Sequence, residues 1–219
     1  MATLWQMLTK KISPDLPKTS VVINPLKAKI GSSVQFDVLD YRDMTFFVKE
    51  VREVARYVNG KNFPFTDYTL MARPLGGEDV TVKLRLMPVT NVSPGDDLTH
   101  NTVLLQKYDE LPWDQGFRDI LNENEFVTKQ DDVETGRYWR INDVKGGYQC
   151  VVKIVDSANE KEELGFKRDE IEYWDYWREY QDEAGQPDKE FLFIEMEKSN
   201  GFFTIWKGQE INAKRVDVR

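Results

Sequence analysis

The chain has 219 residues, 40% of them hydrophobic and 12% aromatic, enough to build a packed core and too much for a disordered chain. Its 30 basic and 38 acidic residues leave a net charge of −8, which argues against nucleic-acid binding through a generally basic surface. A single cysteine, Cys150, excludes an internal disulfide, and its place in the apolar run Tyr148 to Val152 predicts a small core residue in a reducing compartment.

Residues 1–30 read as an N-terminal segment of their own. Leu4, Leu8 and Ile12 recur at helical spacing beside Trp5, and the segment carries five lysines against Asp15 alone. A short amphipathic helix follows, with Trp5 as a candidate contact for a partner or, peripherally, for anionic lipid. Pro14 and Pro17 end it. No stretch approaches the eighteen or so apolar residues needed to span a bilayer, so the expected location is cytoplasmic.

Residues 31–110 carry period-two patterns and form a first β unit. Val34, Phe36 and Val38 alternate with polar residues, and Thr45 to Val51 reads as a strand. Asn59-Gly60 is a turn signal, because both central positions of a tight hairpin turn favour positive φ. Phe65–Ala72 and Val80–Met87 predict a hairpin in which Val80, Val82, Leu84 and Leu86 face the core, while Thr81, Lys83 and Arg85 face water. Thr102 to Gln106 is a further strand, and His100 falls in the polar loop before it.

Residues 111–126 hold one amphipathic helix. Phe117, Ile120 and Leu121 share a face between Asp114 and Glu123. Residues 127–219 form a second β unit: strands at Tyr138–Ile141 and Tyr148–Val155, the aromatic block Tyr173-Trp174-Asp175-Tyr176-Trp177-Arg178-Glu179-Tyr180, a strand at Phe191–Met196, another at Phe202–Trp206, and a polar tail. Asp67-Tyr68 and Asp175-Tyr176 lie 108 positions apart, as do Gly77 and Gly185, Leu84 and Leu192, and Leu86 and Ile194. The fold class expected is therefore mainly β with few helices: two related antiparallel units, small barrels or sandwiches, joined by one helix.

The chemistry is sparse. One histidine, His100, and one cysteine cannot supply a zinc cluster, and the Gly-x-Ser-x-Gly, Walker and dinucleotide loops are missing. No catalytic residue, metal ligand or cofactor is assigned. Alternation puts Trp174 and Tyr176 on one side of the aromatic block and Tyr173, Asp175 and Trp177 on the other. Trp174, Trp177 and Arg178 are the candidate binding residues there, because exposed Trp beside Arg anchors many interfaces. Residues 156–198 hold fifteen acidic side chains against six basic ones, a candidate docking surface for a basic partner. An acidic aromatic cleft would also suit a polyamine-like cation, bound or hydrolysed with the help of carboxylates.

Leu111-Pro112-Trp113-Asp114, Tyr138-Trp139-Arg140-Ile141-Asn142-Asp143, Tyr173-Trp174-Asp175-Tyr176-Trp177-Arg178, Phe193-Ile194-Glu195-Met196 and Gly201-Phe202-Phe203-Thr204-Ile205-Trp206-Lys207-Gly208 together resemble the YjfK-like family of bacterial cytosolic proteins. The resemblance covers nearly the whole chain. It implies a membrane-stress setting and a protein partner such as a phage-shock-type coiled-coil protein, in an adaptor or accessory role. It implies no catalytic residues.

Overall fold

A computed structural model describes residues 26–58, 61–75, 77–88, 100–130, 133–141, 146–157, 168–181 and 185–219. The Trp5 segment and the Asn59-Gly60 turn lie outside them. In chain order the elements are β1 (Ser33–Phe36), β2 (Thr45–Val58), β3 (Lys61–Asn62), β4 (Phe65–Ala72), β5 (Val80–Pro88), β6 (His100–Pro112), α1 (Gln115–Leu121), β7 (Glu125–Gln130), β8 (Val133–Arg140), β9 (Tyr148–Ser157), β10 (Arg168–Gln181), β11 (Pro187–Glu197), β12 (Phe202–Ile211) and β13 (Val216–Val218). The protein is mainly β and antiparallel, with one α-helix among the described residues.

The two stretches that read as separate β units share one sheet. Neighbouring strands run β2-β4-β5-β6-β12-β11-β10, and β9 pairs with β10 on one side and β2 on the other, closing an antiparallel barrel. Period-two patterning sets which face each strand buries but not which strand it pairs with, so closure through β9 is invisible in the alternation. The two longest strands, β2 and β10, have 14 residues each because each serves two partners along one edge. Thr45–Phe47 of β2 pair with β1 and Glu50–Arg56 with β9. Arg168–Tyr173 of β10 pair with β9, and Tyr176 and Trp177 pair with β8. Thus β13-β1 and β8-β7 extend the sheet beyond the barrel.

Three buried clusters follow. Eight strands leave an interior that side chains just fill, and here it holds Val54, Phe65, Val103, Leu105, Tyr148, Cys150, Ile171, Tyr173, Phe193 and Trp206. Burial pushes the Cys150 thiol up to about 12, so it stays a neutral packing group. Outside the wall, Tyr68, Leu70, Val82, Leu84 and Leu86 are covered by Ala28, Phe36, Tyr41 and Phe46. The second outer cluster packs Trp174, Tyr176, Leu192, Ile194 and Phe203 beneath Leu121, Phe126 and Tyr138, from α1, β7 and β8.

The helix forms where the Phe117, Leu121 stripe meets this second cluster, and the Asp114 carboxylate caps it by accepting from Phe117 N at 2.7 Å. Two elements differ from the sequence reading. The polar tail contributes β13, which pairs with β1 through Val216 and Val218, and residues 125–130 form β7. His100 opens β6 and does not lie in a loop.

Candidate functional site

The densest polar chemistry lies inside the barrel. Arg85, fully buried, reaches Asp67 with a two-pronged contact at 2.8 and 2.7 Å, donates to the Tyr173 hydroxyl at 2.6 Å and to Glu195 at 2.6 Å. Lys83 Nζ meets Glu195 at 2.8 Å and lies 4.2 Å from the centre of the Trp206 ring. The face expected to be wet is thus the barrel interior, and Lys83 and Arg85 sit there because Asp67 and Glu195 from neighbouring and opposite strands neutralise them. Burial pushes the Glu195 carboxyl up, but Lys83 and Arg85 outweigh it and hold the group down at about 2.

Towards the other mouth, the buried Asp175 carboxylate accepts from Arg56 Nη1 at 2.7 Å. Burial raises its pKa against the opposing pull of Arg56 and Arg140. Arg52 pairs with Glu50 and, across the barrel, with Glu197 at 2.8 Å. A void of ≈ 10 Å³ beside Arg52, Asp67, Tyr173 and Glu195 is the size of one water. Around this cluster the barrel is filled by side chains. Among the described residues, no group of three or more His, Cys, Asp or Glu side chains converges as a metal site would require.

The sequence-selected residues separate. Trp174 is fully buried against Phe203, with its indole N–H directed at Asn122 Oδ1 at 3.5 Å, so it is core and offers no surface. Arg178 is a strut: it donates to Glu190 at 2.7 Å and to the Thr135 carbonyl at 3.1 Å, and its guanidinium lies 4.9 Å from the Tyr138 ring centre. Gly136 leaves it room, since a Cβ there would overlap the guanidinium. Trp177 is half-buried, as is Arg178, and its ring is not tied into an ion pair.

Trp177 has a partner that sequence reasoning passed over. Trp139 on β8 is its direct cross-strand neighbour and is 47% exposed, and such neighbours on one face have Cβ atoms roughly 5 Å apart. Ile141, one residue past β8, is exposed and continues the alternation of Trp139, while Lys189 Nζ lies 5.3 Å from the Trp177 ring centre. Arg137, paired with Glu125 at 2.7 Å and Glu134 at 2.9 Å, borders the patch. The signal was present: in Tyr138-Trp139-Arg140-Ile141, strict alternation buries Tyr138 and Arg140 and so turns Trp139 and Ile141 outward. The hairpin β7-β8 carries this face because its other side is fixed by Phe126 and Tyr138 in the second outer cluster.

No protein-family model matches the chain, and no curated protein or solved structure does either. Among the described residues no helix is long and apolar enough to cross a membrane.

Proposed function

We propose that the protein is a non-enzymatic adaptor that holds a protein partner against the Trp139–Trp177 face, with the filled barrel as its rigid support. The observation that carries this reading is the exposed Trp139 set directly opposite Trp177 on a hairpin that projects from the barrel. Large aromatic side chains bury much area for little conformational entropy and dominate interface energetics. The acidic balance of the chain favours a basic partner. The family resemblance supplies its type, a phage-shock-type coiled-coil protein of the cytoplasmic face of a membrane-stress system, whose amphipathic helix would lay its apolar stripe on the two indoles.

A hydrolase or polyamine-binding reading needs carboxylates free of protein cations, and those inside the barrel are engaged: Asp67, Asp175, Glu195 and Glu197 each have an arginine nitrogen at 2.6 to 2.8 Å. Co-purification from cells tests the adaptor reading. The Trp139→Ala/Trp177→Ala protein, checked for an unchanged circular dichroism spectrum, is expected to lose a partner that wild type retains. Phe47→Ala, at an exposed apolar site on the other sheet extension, is expected to keep it. Retention of every partner by the double variant would contradict the proposal.

A further inference from the structure

The Trp139–Trp177 pair is part of a longer row. Phe191 of β11 is the direct cross-strand partner of Trp177, so Trp139, Trp177 and Phe191 stand side by side on one face of β8, β10 and β11. Trp139 is exposed and the other two are half-buried. Phe191 stands where the row meets the barrel interior, its ring centre 5.8 Å from that of Phe193. Neighbouring strands lie about 4.8 Å apart, so the row spans about 10 Å from Trp139 to Phe191. Along the strands the apolar surface is shorter. On the β8 side it is Trp139 and Ile141, and on β10 the same-face neighbours of Trp177 are the buried Asp175 and the exposed Glu179.

An α-helix rises about 1.5 Å per residue, so apolar residues at i, i+3 and i+7 cover about 10 Å of one stripe. Such a stripe matches the aromatic row in length and in number of anchors, whereas laid along β10 it would meet a carboxylate on either side of a single ring. Charge sets the flank. One alternation step from the row, the same face carries Arg137, Glu179 and Lys189 on β8, β10 and β11. Arg137 is held by Glu125 and Glu134, and the Lys189 ammonium leans over the Trp177 ring. Glu179 is exposed, with no ion pair among the described residues.

We propose that the partner docks through a single helix lying across the strands, with heptad-spaced apolar residues on Trp139, Trp177 and Phe191 and a lysine or arginine beside the middle one paired with Glu179. Phe191 is then a third anchor, and Glu179 is the residue that selects a basic helix over an acidic one. The inference rests on the adaptor reading and adds to it the direction of the helix and the sign of its flank.

Three synthetic three-heptad peptides, titrated into the isotopically labelled full chain and followed by amide chemical shifts, test it. The first has leucine at heptad positions a and d and lysine at e and g. The second has glutamate in place of lysine, and the third has the composition of the first with its leucines at every second position. The first is expected to give saturable shifts at Trp139, Trp177, Glu179 and Phe191, and the other two to bind at least about fivefold more weakly. Glu179→Gln, an exposed change that should leave the fold intact, is expected to weaken the first peptide about threefold and to leave the second no weaker. The inference is overturned if the first peptide does not bind, or if either control binds as tightly. It is equally overturned if the shifts run along Arg137, Trp139 and Ile141 without reaching Phe191, or if Glu179→Gln binds as wild type does. Those last two results leave the adaptor reading standing provided that Trp139→Ala/Trp177→Ala loses the peptide; unchanged binding by that double variant overturns both.

Discussion

Arg85 shows how much of the fold depends on single side chains. Its guanidinium is fully buried between Asp67, Glu195 and Tyr173. Arg85→Met therefore leaves two buried carboxylates sharing Lys83, and breaking such a network costs about 3–5 kcal/mol; urea denaturation should show a loss of that size. A second change that removes a stranded charge, Asp67→Leu in the Arg85→Met background, should recover part of it. Glu195 adds a pH dependence. Its folded pKa lies below the ordinary 4.5, so its stabilisation is present above about pH 4.5 and is lost as pH falls towards about 2. Denaturation at a series of pH values should show this acid limb, flattened in Glu195→Gln. The sequence hid the cluster because Thr81, Lys83 and Arg85 alternate as a solvated face does. The only hint was composition: Asp67, Asp175 and Glu195 stand in the middle of strands, where acidic residues are disfavoured.

Elements with strong local signals were legible, and those made by tertiary context were not. The β4–β5 hairpin could be read from alternation, and α1 from its apolar stripe; the Asp114 cap is seen only in the structure. Asp114→Ala should lower stability by about 1 kcal/mol in thermal melts, the usual cost of losing such a cap. β7 and β13 escaped notice because each is short, polar in sequence and held by a neighbour. The hairpins also show how register places the Asp-Tyr pairs. β4 sets Asp67 opposite Arg85 and β10 sets Asp175 opposite Phe193, so both aspartates point into the barrel while Tyr68 and Tyr176 serve the outer clusters. Trp174, one step along β10, is carried into the core by the same parity, which leaves Trp177 and Trp139 as the site. At the β6–β12 ladder, Gly208→Ala should cost about 3 kcal/mol or more, because the obstructing Leu104 atom is backbone and cannot yield.

At the scale of the molecule, the covers and the extensions hang on one closed barrel. β2 and β9 exchange seven residue pairings across the closure, and charges such as Arg52 and Arg56 of β2 are neutralised by Glu197 of β11 and Asp175 of β10. The residues on both sides of α1 therefore complete each other's interior, which the helix between two patterned stretches did not reveal. Native-state hydrogen exchange should find β2 and β9 amides opening only with global unfolding, and β7 amides, on a free edge, opening earlier. The most direct measurement is the behaviour of residues 111–219 expressed alone. That fragment lacks β2, β4, β5 and most of β6, and exposes Glu195 without Arg85 and Asp175 without Arg56, so it is predicted to give no cooperative thermal transition. A cooperative melt with full strand content from the fragment would contradict the closed barrel on which the account rests.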